Sequence, residues 1–232
     1  MIVTVFTNDN HLWLLQGFAY LFNRFWGKTQ KVRVVGFNLP KFKLPTNFEF
    51  YSLGQVNLPA TEWSTGIMQY LMDIDDDLVL FMLEDYWLYQ PVNTNFVRKL
   101  WDGFYYIAGT KRLLRIDLTN DRCSRKQSRE YPNKFNFNLI YTPPTTPYQL
   151  SFQTGIWDRI WLLDVLQFDE DPWTSEVQGS QRLLGRDDLW VVGTISRPVI
   201  YQPVYRTHRQ TLQIDRIPQP IIHELEERGC LP

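Results

Sequence analysis

The chain has 232 residues, the size of one large domain or a domain with a modest extension. Hydrophobic residues make up 44%, enough for a packed core and too many for global disorder. The 24 Lys and Arg nearly balance the 25 Asp and Glu, which excludes a uniformly basic nucleic-acid coat but leaves room for a local patch. Two cysteines, Cys123 and Cys230, cannot build a disulfide framework and point to a reducing compartment. The longest aliphatic and aromatic run, 78–83, falls far short of the roughly 20 residues of a membrane span. The opening MIVTVF lacks a basic region and reads as a strand. The expectation is a cytoplasmic protein with no membrane span.

In chain order, residues 2–7 are β-branched and apolar on both faces, the pattern of a strand buried from both sides. Asn8, Asp9 and Asn10 supply turn and N-cap chemistry before a helical pattern over 11–26. Strands follow at 31–37 and 48–52, a helix capped by Thr61 at 61–74, and the most apolar strand at 78–83. This alternation predicts an α/β domain with a mostly parallel sheet flanked by helices. Further helices are expected at 93–108, 156–166, 173–184 and 218–228, and strands at 112–117, 189–192 and 198–201. Between 119 and 147 the chain turns polar and basic, then proline-rich, and reads as a long excursion. A division into 1–118 and 119–232 is compositional.

Several common signatures fail. No G-x-G-x-x-G or G-x-S-x-G occurs, and the Gly27-Lys28-Thr29 triplet lacks the earlier glycine of a phosphate loop. The His223 helix has Glu227 where a zinc protease needs its second histidine. Acidic residues say more. Ligands of open α/β sheets bind beyond the carboxyl ends of the strands, so the acids at 73–77, which precede a strand, lie at the wrong edge. Glu84 and Asp85 follow the same strand at the right edge, where hard carboxylate oxygens suit Mg²⁺ or Mn²⁺.

The segment LVLFMLEDYWL at 78–88 resembles the strand-plus-LDDFF segment of glycosyltransferases with the GT-A fold, in particular a group of bacterial and viral sugar-transferase-like proteins. SFQTGIWDRIWLLDVL at 151–166 and EDPWTSEVQGS at 170–180 resemble two later stretches of that group, in the same order. Glu84 departs from the aspartate usual there. The resemblance implies a GT-A-like fold and a metal-dependent transferase that takes its sugar from a nucleotide-diphosphate donor, with UDP first in line. It also implies a donor-binding half at 1–118 and an acceptor-binding, catalytic half at 119–232.

Residue by residue, the resemblance places Asp85 and Glu84 on the metal and donor, with His208 as a late metal ligand. Thr7 and Asp9 sit where the uridine and ribose are read. Glu176 occupies the position of the carboxylate that would deprotonate the acceptor, with Asp171 as the alternative. The loops at 153–155 and 178–180 resemble acceptor-side loops. Each also has an ordinary structural reading: Asp9 as a helix cap, Glu176 in a capping interaction, His208 as a loop histidine.

Trp157 and Trp161, spaced i, i+4, could form core or a sugar platform, and Trp173 could stack on an acceptor ring. Residues 111–134 carry eight basic and three acidic side chains. Arg122, Arg125 and Lys126 within this run would suit a polyanionic acceptor such as DNA with a hydroxymethylated base, while a neutral glycan is the other acceptor class. Host cytoplasm is the expected place if the source is viral. The competing expectation is a catalytically inactive sugar- or nucleic-acid-binding module on the same fold.

Overall fold

The computed structural model describes residues 1–54, 56–107, 109, 111–205 and 211–231. In chain order the strands are β1 (Val3–Phe6), β2 (Val32–Gly36), β3 (Phe48–Ser52), β4 (Leu78–Leu83), β5 (Tyr86–Leu88), β6 (Arg112–Asp117), β7 (Arg129–Tyr131), β8 (Leu139–Thr142), β9 (Gly155–Asp158), β10 (Leu189–Thr194) and β11 (Tyr201–Pro203). The helices are α1 (Leu14–Phe25), α2 (Trp63–Asp73), α3 (Thr94–Asp102), α4 (Phe104–Ile107), α5 (Arg159–Val165), α6 (Pro172–Arg182) and α7 (Gln219–Glu227). Strands and helices alternate, and the α/β class expected from the sequence is the class found.

The chain forms two compact units. One gathers Ile2–Asn57, Met82–Asn93 and Val199–Pro232; the other holds Met1, Leu58–Phe81 and Thr94–Pro198. In the first unit β1, β2 and β3 pair in parallel, with Val3 opposite Val32 and Val32 opposite Phe48. The buried valines of β1 and β2 give the sheet apolar residues on both faces, as the sequence pattern requires. Helix α1 packs on the short β5–β11 ribbon so closely that a β-carbon on Gly17 would stand 2.4 Å from the ring of Trp87. Glycine is needed there for close approach, not for an unusual φ.

In the other unit β9 runs antiparallel between Leu78–Phe81 of β4 and β6. Strand β10 continues parallel to β6, and β8 and β7 follow antiparallel. The 119–147 excursion is thus partly ordered as sheet, through β7 and β8.

Four local expectations need correction. Residues 156–158, the expected start of a helix over 156–166, are strand instead, because the backbone of β9 fills the gap between β4 and β6. Trp157 and Trp161 therefore do not share a helical face. Thr61 does not cap α2; it lies in a 3-10 turn, Ala60–Glu62, and Glu62 precedes α2 without a side-chain cap. The helix expected over 93–108 divides at Gly103 into α3 and α4. Strand β5, the three residues that directly follow Asp85, carried too short a pattern to be read as a strand.

Candidate functional site

The first unit brings together side chains 73 residues apart in sequence at the carboxyl ends of β1 and β4. Thr7 extends the β1 ladder by donating its N–H to Val35 O at 2.9 Å. Asn8 then turns the chain: its side-chain oxygen accepts from Asn10 N at 3.0 Å and caps the 3-10 turn Asp9–His11. Asp9 is not the cap. Its carboxylate accepts from the backbone N and the side-chain amide of Asn38, at 3.1 and 2.6 Å.

That turn aims His11 at the acidic pair. His11 Nδ1 lies 3.0 Å from Glu84 Oε1 and 3.1 Å from the Asn8 amide nitrogen. The ring nitrogen can donate to the carboxylate or accept from the amide, so its proton selects the partner. Glu84 is only 5% exposed, and the histidine supplies the polar contact that a buried carboxylate needs. Glu84 and Asp85 form the tight turn from β4 into β5, held by Asp85 O, which accepts from Trp87 N at 3.1 Å and Val204 N at 2.9 Å. The edge of Tyr205 meets the His11 ring at 4.8 Å and the Trp13 ring at 5.9 Å.

Sequence reasoning named Thr7, Asp9, Glu84 and Asp85 but missed His11 and Tyr205. The available signal for His11 was its place just after β1, at the same strand edge as Glu84. The acids at 73–77 precede β4, where Arg159 donates to the backbone oxygen of Asp76.

Glu84 and Asp85 are adjacent oxygen donors of the kind that suits Mg²⁺ or Mn²⁺. Among the described residues no group of three or more His, Cys, Asp and Glu is arranged to hold a metal ion. Two side chains alone would leave most of such an ion's shell to other ligands. His208 lies outside the described residues.

The other unit carries the residues expected on the acceptor side. Glu176, on α6, accepts from Phe152 N at 2.6 Å. Burial pushes its carboxyl above the ordinary range, opposed by that hydrogen bond and by the positive charge of Arg115. Asp171 caps α6, accepting from Thr174 N at 2.8 Å and from the Thr174 hydroxyl at 2.9 Å. Trp173 is 60% exposed.

Two acceptor expectations are corrected by burial. Trp157 is fully buried in β9, beneath the guanidinium of Arg115 at 4.7 Å, and cannot serve as a sugar platform. Arg122 is also fully buried: it donates to Gln149 Oε1 at 3.0 Å and Tyr148 O at 2.6 Å, and burial lowers its pKa to about 10. It cannot present its charge to a polyanion. Arg125 is engaged by Asp121 at 2.7 Å, whereas Lys126 is exposed. Five of the eight basic residues of the run, Lys111, Arg112, Lys126, Arg129 and Lys134, remain exposed, and four of these rest against aromatic rings. Lys111 lies over Trp190, Arg112 over Trp161, Arg129 over Tyr141 and Lys134 over Tyr106.

Behind these residues is a buried ionic group that the sequence did not announce. Asp117 Oδ2 lies 3.0 Å from Arg115 Nη2 and 3.7 Å from Arg122 Nε. Its other oxygen accepts from Thr119 N at 2.7 Å and the Thr119 hydroxyl at 2.6 Å. Gly155 accommodates this group: a β-carbon there would stand 2.7 Å from Arg115 Nε.

No protein-family model and no curated protein sequence matches the chain. Among solved structures it is similar to S. aureus TarS at 11% identity and a TM-score of 0.44, over 83% of this chain. A shorter TarS structure, residues 1–349, gives 14% identity and the same score. The chain spans 36% and 60% of those two structures. It is also similar to the galactosyltransferase LgtC in complex with donor and acceptor sugar analogs, at 13% identity and a TM-score of 0.40, over 82% of this chain and 73% of LgtC. The bifunctional IspDF from Campylobacter jejuni is similar at 14% identity and 0.39, over 87% of this chain and 52% of that one. Likeness at this level assigns no function, which has to come from the residues of the site.

Proposed function

We propose that the chain is a metal-dependent glycosyltransferase of the GT-A type, moving a sugar from a nucleotide-diphosphate donor, UDP-linked first in line, to an acceptor hydroxyl. The observation that carries this reading is the contact of His11 with Glu84 at the carboxyl ends of β1 and β4, beside Asp85. Such strand ends are where open α/β sheets place their ligands. A buried carboxylate oriented by an imidazole next to a more accessible one is a pre-positioned oxygen donor pair.

In this reading Asp85 and Glu84 hold Mn²⁺ or Mg²⁺, with His208 as a third protein ligand, and Thr7 and Asp9 lie on the nucleoside side. An ion held by Asp85 and Glu84 would supply charge neutralisation for a departing diphosphate. Glu176 accepts the acceptor proton. Its burial supports that role, because a carboxyl raised above its ordinary range is a better base near neutral pH. Asp171 is the weaker candidate, since both its oxygens accept from Thr174. Trp173 offers an exposed ring to an acceptor sugar. A functional division between 1–118 for the donor and 119–232 for the acceptor belongs to the same proposal. The acceptor is a neutral glycan or DNA with a hydroxymethylated base: Arg122 is buried and offers DNA no contact, whereas Lys111, Lys126, Arg129 and Lys134 are exposed.

A thermal-shift panel of nucleotide sugars with and without Mn²⁺ tests the reading. A ligand selective for the folded state stabilises it by mass action, by about 2.7 kcal/mol at a hundredfold excess over Kd. One donor should raise the melting temperature only with metal and be hydrolysed slowly. A panel with no metal-dependent shift would overturn the proposal.

A further inference from the structure

Within the first unit, one side of α1 forms a groove of about 470 Å³ with the 42–45 segment and the residues after α7. Its lining includes Arg24, Lys28, Lys43 and Arg228 and no acidic residue, in a chain whose formal net charge is -1. None of these residues belongs to the Glu84–His11 group.

Two of the four cations are held in place. Glu224 accepts from Tyr20 Oη at 2.5 Å and from Arg24, which fixes both side chains. The guanidinium of Arg228 lies 4.6 Å from the centre of the Tyr20 ring. One tyrosine thus organises two arginines, and a planar guanidinium held in place loses less freedom when it binds an oxyanion. Lys28 and Lys43 are exposed, and among the described residues neither has an ion-pair partner.

We propose that this groove binds a small phosphorylated organic molecule, with its phosphate on Arg228, Lys28 and Lys43 and its body against Phe42 and Pro45. Size decides against simpler occupants. The volume lies within the range of about 300–1,000 Å³ typical of small-molecule sites and is far larger than one inorganic ion needs. A concave site with a ring wall also suits a compact ligand better than a flat membrane or a duplex. Phosphate is the anion of choice because charge-assisted contacts from guanidinium and ammonium groups match its several acceptor oxygens.

Calorimetric titration with AMP, glucose 1-phosphate and inorganic pyrophosphate tests this, in EDTA so that metal-dependent binding at Glu84 and Asp85 is silent. At least one organic phosphate should bind saturably and more tightly than pyrophosphate; AMP or glucose 1-phosphate as the winner identifies a nucleotide or a sugar-phosphate source. Arg228→Ala and Lys28→Ala/Lys43→Ala should each weaken binding about tenfold or more, as expected for loss of charge-assisted contacts. Asp85→Asn should leave it unchanged. No saturable binding of either organic phosphate, pyrophosphate binding at least as tight as both, or equal binding after removal of all three cations would each overturn the proposal.

Discussion

Replacing Asp117 by Asn keeps the side chain's volume and removes one charge from the middle of the buried ionic group. Arg115, Asp117 and Arg122 are all fully buried, and the carboxylate is 3.0 Å from one guanidinium and 3.7 Å from the other. Burying a guanidinium is costly unless a counter-charge and hydrogen bonds offset it. Arg122 still donates to Gln149 and Tyr148, and Arg115 to Gln153 O at 2.8 Å, so part of the compensation survives. The two positive charges lose their fully buried counter-charge. The expected loss is about 3–5 kcal/mol, the usual effect of breaking a buried pair from one side. At roughly 2–4 °C per kcal/mol for a chain of this size, the melting temperature should fall by about 10 °C. Urea unfolding followed by circular dichroism should show a lower midpoint with an unchanged slope. Arg115→Met combined with Asp117→Asn should recover part of the loss, since the pair then goes together. A loss below about 1 kcal/mol for Asp117→Asn would show instead that the hydrogen bonds alone support the arginines.

Glu176→Gln should lower transfer to acceptor by roughly 10²-fold while donor affinity changes little, measured by steady-state kinetics. The same variant has a signed effect on stability. The raised carboxyl pKa means that folding favours the protonated form, so the wild type loses stability as pH rises from the unfolded-state value through the folded one. The variant should equal the wild type in acid and exceed it at neutral pH; a neutral-pH loss would contradict the burial of that charge. Gly17→Ala should cost about 1–3 kcal/mol in denaturant unfolding, because its β-carbon would overlap the buried ring of Trp87. His11→Ala should weaken metal-dependent donor binding while Asp9→Ala, which removes the hold on Asn38, should change the melting temperature as well.

The regular elements were legible where one force dominated. The apolar runs of β1, β2 and β4 and the amphipathic pattern of α1 could be read directly, and Glu84 and Asp85 followed from the strand-edge rule. Strand β9 misled because IWDRIWLLDV satisfies a helical period from its first residue. Only the gap between β4 and β6 makes its opening a strand, and that is a tertiary fact. The same holds for Arg122. A cluster of basic residues in sequence looks like an exposed patch, and nothing local says that Asp117 draws one member into the core. His11 was missed because its partner is 73 residues away.

The proposed function stands or falls with the carboxylates at the end of β4 as holders of a metal and, through it, of the donor. The most direct measurement is Mn²⁺-dependent binding of UDP-sugars by the wild type, by Asp85→Asn, and by Asp76→Asn at the start of the same strand. The proposed chemistry predicts binding abolished in Asp85→Asn with the fold retained, and binding preserved in Asp76→Asn. Equal loss in both variants, or retained binding in Asp85→Asn, would contradict it.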